Sequence, residues 1–163
     1  MNLDPCLFDV ITETPLGPVG IRLEQGRVVE VGILPEDASP RAATDERSAE
    51  AVRQLRAYFA DPRFKPSVAL NPAGTDFQLR VWRALREIPP GSVFTYGELA
   101  KKLDTGPRAV GGACRANPCP ILVPCHRVVA AHGRGGYAGS TSGRWPAIKE
   151  WLLRHEGAVW PSS

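Results

Sequence analysis

From Leu7 to Glu13 the apolar pairs Leu7-Phe8 and Val10-Ile11 alternate with polar residues, and this pattern predicts β structure. Pro15-Leu16-Gly17-Pro18 then supplies turn chemistry. Two further apolar segments follow, Val19 to Glu24 and Val28 to Ile33, separated by Gln25-Gly26-Arg27. Short segments punctuated by Gly and Pro predict a hairpin or meander. The pattern then changes. Between Asp45 and Phe59 the residues Ala51, Val52, Leu55, Tyr58 and Phe59 fall on one stripe of a 3.6-residue helix. Asp61 to Gly74 is Pro-rich and aperiodic, and is expected to link two lobes.

A second helix starts where Thr75 and Gln78 fit a capping box, with Phe77, Val81, Trp82 and Leu85 as its buried face. Ile88-Pro89-Pro90-Gly91 ends it, and Val93 and Phe94 read as extended. Tyr96 precedes a short helix through Glu98, Leu99, Ala100 and Leu103. The turn Thr105-Gly106-Pro107 leads into another, Arg108 to Arg115. Helix, tight glycine turn, helix is a helix-turn-helix pattern. Glycine, serine and basic residues from Ala131 onward predict a loop. The last helix then opens at Pro146, carries Ile148, Trp151 and Leu152 on its apolar face, and closes at Gly157. The expected fold is α+β: a small N-terminal β-sheet lobe with a helix over 1–73, then a mainly helical, winged-helix-like domain with a helix-turn-helix over 74–163.

The helix after the turn is unusual. Ala109, Gly111, Gly112, Ala113 and Ala116 leave one surface almost bare, although each glycine destabilises a helix by roughly 0.5–1 kcal/mol. Close approach of a neighbouring helix would explain this, and so would approach of a nucleic-acid backbone; Arg108 and Arg115 frame the bare surface and favour the second. Net charge is only +3, but its distribution is uneven. Residues 1–76 hold eight Lys/Arg against twelve Asp/Glu, and residues 77–163 hold twelve against five. A basic second half suits an anionic partner.

No apolar run approaches the roughly 20 residues of a membrane span, and residues 1–10 lack the features of a signal peptide, so a cytoplasmic protein is expected. Cys6, Cys114, Cys119 and Cys125 lack the two-residue gap of a zinc site and are read as free thiols, with no metal and no cofactor. One of them carries candidate chemistry. In Pro124-Cys125-His126-Arg127 a soft nucleophile adjoins the side chain that titrates near neutral pH. The prolines before it predict a stiff, extended segment. A buried structural cysteine beside a histidine is the plainer reading of the dipeptide alone.

Taken together, Phe94-Thr95-Tyr96-Gly97-Glu98-Leu99-Ala100, Arg108-Ala109-Val110-Gly111-Gly112-Ala113, Asn117-Pro118, Pro124-Cys125-His126-Arg127-Val128, Gly136-Tyr137-Ala138-Gly139 and Lys149-Glu150-Trp151-Leu152-Leu153-Arg154-His155-Glu156-Gly157 resemble the O6-alkylguanine-DNA alkyltransferases. The resemblance spans residues 75–157. It implies DNA repair by a suicide methyltransferase that moves the alkyl group of O6-alkylguanine, such as O6-methylguanine, irreversibly onto its own cysteine, once per molecule. Cys125 would be the acceptor, His126 would take its proton through a water, Glu156 would orient and charge-balance His126, and Asn117 would brace the turn. Tyr96 would donate to the base and the Ala138 N–H would reach O6. The Cys125 and Val128 carbonyls would receive the guanine amino group, with Tyr137 and Gly139 completing the pocket.

The resemblance further implies double-stranded DNA as partner, entered from the minor groove, with the target base flipped out. Ala109, Gly111, Gly112 and Ala113 would meet the groove, Arg108 would fill the vacated place in the stack, and Arg115 would contact phosphate. The protein is expected to be a monomer, with cooperativity on DNA left open. The alternative function is a non-catalytic sensor of alkylated DNA. Such alkyltransferase-like proteins carry tryptophan where Cys125 stands, so the cysteine argues for transfer. A Cys-His hydrolase would need an oxyanion hole and leaves the helix-turn-helix without a purpose.

Overall fold

A computed structural model describes residues 4–132 and 144–160. The chain divides into two compact units, Met1–Ala73 with Pro118–Leu122, and Gly74–Asn117 with Val123–Ser163.

In the first unit β1 (Val10–Thr14), β2 (Gly17–Glu24) and β3 (Arg27–Ile33) form an antiparallel meander in the order β1-β2-β3. Gly17 and Gly26 have φ of 93° and 76°, which lets the two connections turn tightly where a side chain would be strained. The helix α1 (Glu46–Ala60) is capped by the Asp45 carboxylate on the Ser48 N–H at 2.8 Å, and buries Ala51, Leu55 and Tyr58. The stretch read as a linker is partly ordered against β3. Val28 donates to the Ala69 carbonyl and Asn71 donates to that of Val28, at 2.9 and 2.8 Å. Pro118–Leu122 also belongs here, with the Pro118 carbonyl accepting from the Val31 N–H at 2.9 Å.

Gly20 and Gly32 face one another across β2 and β3, and the Phe8 ring lies over both. A Cβ on either glycine would come within 2.5 Å of a ring carbon. Phe8 is only 2% exposed and packs with Ile11, Leu34 and Ala38, so it has little room to yield.

In the second unit α2 (Asp76–Arg86) carries both arms of the expected capping box and buries Val81, Trp82, Ala84 and Leu85; Phe77 is half-buried. Strand β4 (Phe94–Thr95) pairs in parallel with β5 (Val128–Val129). A second capping box, Thr95 with Glu98, starts α3 (Tyr96–Lys102), and a short turn leads to α4 (Pro107–Arg115). Helices α3 and α4 pack on each other, and Arg80 of α2 donates to the Leu103 carbonyl at the end of α3. The last helix, α5 (Arg144–His155), buries Pro146, Ile148, Lys149, Leu152 and Leu153. Its inward stripe therefore runs through Lys149, while Trp151, expected there, is half-buried and stacks on His155. Among the described residues no helix is long and apolar enough to cross a membrane.

The Phe8 slot yields a test. Gly32→Ala should destabilise the protein by about 1–3 kcal/mol through overpacking, and combination with Phe8→Leu should recover part of that loss. Denaturant unfolding of the two single variants and the double variant reads the coupling; simple additivity would contradict the packing described.

Candidate active site

The segment before Cys125 is not extended. Leu122 donates to the Pro120 carbonyl at 2.9 Å across Ile121, whose φ is +75°. That is a γ-turn on a β-branched residue, a strained conformation. Cys125 then donates to the Val123 carbonyl at 2.8 Å across Pro124, with φ −80° and ψ 66°, an inverse γ-turn. Proline's fixed φ suits this turn, and Cys125–Arg127 continues as one turn of 3₁₀ helix. Proline density thus produces consecutive tight turns here rather than an extended run. Asn117, 7% exposed, donates from Nδ2 to the same Val123 carbonyl at 2.9 Å, and so braces the nucleophile's turn.

The 3₁₀ turn buries Cys125, His126 and Arg127. His126 has no exposed surface, and its Nε2 lies 2.8 Å from Glu156 Oε2. Glu156 stands at the end of α5, where Gly157 with φ +70° closes the helix. Gly157 donates to the Arg154 carbonyl at 3.0 Å and Ala158 to that of Leu153 at 2.9 Å. This is a Schellman cap, and Ala158 packs with Leu153 and Val129 to complete it.

A carboxylate at a helix C-terminus faces the negative end of the dipole and needs compensation. Arg127 supplies it: Nε reaches Glu156 Oε1 and Nη2 reaches Oε2, both at 2.9 Å, while Nη1 holds the Ile88 carbonyl at 2.5 Å. Burial alone would raise the Glu156 pKa, but bonding to His126 and Arg127 holds it well below the usual carboxylate range. An ionised carboxylate only accepts, so His126 carries its proton on Nε2. The other ring nitrogen, Nδ1, is buried and has no hydrogen-bond partner among the described residues. Burial, helped by the Arg127 and Lys149 charges, pushes the His126 pKa down against the pull of Glu156. The imidazole is therefore a neutral base with its lone pair on Nδ1.

Two neighbours went unassigned in the sequence. Arg127 was visible only as the next letter of the Cys-His run. Lys149 sits in the inward stripe of α5 two helical turns before Glu156. Its Nζ donates to the Val128 carbonyl at 2.6 Å and lies 5.7 Å from the centre of the Tyr96 ring. The Cys125 carbonyl likewise accepts from the Val128 N–H. Both carbonyls expected to receive the base amino group thus already accept a hydrogen bond from the protein. Burial, with Cys114 and Cys125 nearby, pushes the Tyr96 hydroxyl pKa up, so it stays protonated as a donor. Cys114 is pushed up as well, by burial and then by Cys125, and stays a thiol. Cys119 is fully buried core. Tyr137, Ala138 and Gly139 lie outside the described residues.

On α4 the residues Arg108, Gly111, Gly112 and Arg115 share one stripe. Arg108, Ala109, Gly112 and Arg115 are exposed and Gly111 is half-buried. A Cβ at either glycine would meet no atom within 4 Å, so internal packing does not require them. Ala113 departs from the expected bare surface: it is buried beside Val110, and its carbonyl accepts from Trp82 Nε1 at 2.8 Å.

Known proteins resemble this chain in sequence and fold. The sequence model of the family described as 6-O-methylguanine DNA methyltransferase, DNA binding domain, matches residues 76–158. A methylated-DNA–protein-cysteine methyltransferase of Methanosarcina acetivorans is 40% identical over 160 residues, covering 93% of this chain and 99% of its own. A constitutive one of Bacillus subtilis is 38% identical over 155 residues, covering 88% and 92%. The crystal structure of Mycobacterium tuberculosis O6-methylguanine methyltransferase superposes with a TM-score of 0.72 at 34% identity, covering 90% of each chain. The same organism's protein in complex with DNA superposes at 0.71 with 35% identity, again over 90% of each. By the match of its second half and by near end-to-end similarity to these relatives, the chain belongs to the 6-O-methylguanine DNA methyltransferase family.

Proposed function

We propose that this chain repairs DNA by moving the alkyl group of O6-alkylguanine onto Cys125, irreversibly and once per molecule. The observation that carries this reading is the buried His126, next to Cys125 in the chain, bonded through Nε2 to Glu156 and with no partner for Nδ1 among the described residues. His126 takes the thiol proton at Nδ1 through one bridging water. The thiolate then attacks the alkyl carbon from the side opposite O6, the S–C bond forms, and the C–O6 bond breaks with its electrons passing to O6. A proton or hydrogen bond to the departing base completes the balance, and Tyr96, kept protonated, is the donor assigned to it. Asn117 holds the turn through the Val123 carbonyl. The product is a thioether with no nearby group able to cleave it, so the protein is consumed.

Double-stranded DNA meets the exposed stripe of α4 from its minor groove in this reading. Ala109, Gly111 and Gly112 let the backbone come close, Arg115 contacts phosphate, and Arg108 occupies the space of the flipped guanine. The Val128 carbonyl receives the base amino group, and Tyr137, Ala138 and Gly139 complete the pocket. Catalysis and DNA binding both fall to residues 74–163, with 1–73 a structural lobe. The protein works as a monomer, and its four free thiols suit the cytoplasm.

Incubation with an O6-methylguanine oligonucleotide should add one methyl per protein, and peptide mass spectrometry should place it on Cys125. Cys125→Ala should bind the oligonucleotide and gain nothing. A methyl on Cys114 or Cys119, or sustained turnover, would overturn the assignment.

Arg108 offers a second test, because a plug stabilises only the flipped state. Arg108→Ala should slow repair in duplex DNA roughly tenfold or more, each ~1.4 kcal/mol of the few kcal/mol that flipping costs being one decade of rate. Repair of the free base should hardly change. A variant whose only defect is weaker binding, with the salt slope lowered by about one, would make Arg108 a phosphate anchor instead.

A further inference from the structure

Arg127 is 6% exposed and commits its guanidinium to three bonds: two on Glu156 and one on the Ile88 carbonyl. Glu156 Oε2 receives both Arg127 Nη2 and His126 Nε2, so the cation and the imidazole share one oxygen. Resting on the reading that His126 is the base for Cys125, we propose that Arg127 is a positioning residue for the transfer. It fixes Glu156 as a pure acceptor, so that His126 keeps its proton on Nε2 and offers Nδ1 to the thiol.

Without a cation on the carboxylate, the His126–Glu156 pair would hold the one buried negative charge of the cluster. The pair would then gain strongly by taking up a proton, either as imidazolium or as carboxylic acid. Either form blocks the step: an imidazolium has no lone pair on Nδ1, and a carboxylic acid gives up its hold on Nε2–H. Arg127 removes that gain because its charge is permanent and its fork spans both oxygens. The anchor on Ile88 keeps the fork from rotating away. Among the described residues, the charges that act on His126 are Glu156 and Lys149 from the α5 region and Arg127 from the 3₁₀ turn, while Tyr96 from α3, Cys114 from α4 and Cys125 lie close to one another on the side of Lys149. Lys149 adds a second cation, with its Nζ on the Val128 carbonyl. Arg127 grips the carboxylate at both oxygens.

The sign of the pH effect follows. Arg127 lowers the proton affinity of the pair, so the acid side of the transfer rate profile lies below the ordinary histidine range. Removing the cation moves that side to higher pH. Methyl transfer from an O6-methylguanine oligonucleotide, followed by intact mass between about pH 5 and pH 8, reads the effect. The parent should be compared with Arg127→Met, Arg127→Lys and His126→Asn. Arg127→Met should shift the acid limb upward by about one pH unit or more, and Arg127→Lys by less, because it keeps charge without the fork. DNA affinity should be unchanged in both.

An equal loss of rate at every pH, with no movement of the limb, would make Arg127 merely structural and overturn the proposal. If Arg127→Met does not fold, Arg127→Lys carries the same test: an upward shift supports the role and an unmoved limb overturns it. A His126→Asn variant as fast as the parent would instead remove the underlying reading of His126, whatever Arg127 does.

Discussion

Placing an ionised carboxylate out of contact with water costs several kcal/mol unless cations and hydrogen bonds replace its hydration. Glu156 has no exposed side-chain surface and sits at the end of a helix whose dipole opposes it. The bidentate Arg127 and the His126 N–H together fill the lone pairs that water would otherwise fill. Everything chemical about the second unit follows from this one charge. It settles the histidine tautomer, and the tautomer settles which nitrogen can accept a proton. In the proposed transfer, that nitrogen is the base for the cysteine one residue earlier.

That arrangement depends on two local structures that are short and stiff. The Schellman cap at Gly157 stops α5 one residue after His155, which brings Glu156 to the 3₁₀ turn of Cys125–Arg127. The γ-turn at Pro124 and the Asn117 brace on Val123 fix the other side. Because Cys125, His126 and Arg127 are adjacent, a small change in that turn would move all three at once. A rigid frame suits a displacement that must approach one carbon in line with the departing oxygen.

Much of this was legible in the chain. Both long helices and the Thr75–Gln78 capping box follow from period and cap chemistry, and the strands from short apolar segments between Gly and Pro turns, because each is specified by residues close in sequence; the strands bury consecutive residues rather than every second one. The pairing of Gly20 with Gly32 under Phe8 was not, since register and a tertiary contact decide it. The inward face of α5 was misjudged for a related reason. Hydrophobicity points to Trp151, whereas the structure turns Lys149 and Glu156 inward, and only a partner for each charge makes that tolerable. Ala113 looked like part of a bare surface because composition cannot say which small residues face the core. The Cys-His-Glu set was readable through the family resemblance, but Arg127 was not. Its role depends on a carboxylate 29 residues away in the sequence.

The account turns on where one proton resides, and ring nitrogen NMR locates it directly. In protein labelled with ¹⁵N at histidine, long-range correlations at neutral pH should show His126 Nε2 as the protonated nitrogen and Nδ1 as the bare one. Signals typical of a doubly protonated ring, or of a proton on Nδ1, would contradict the account, since neither form can take the thiol proton of Cys125.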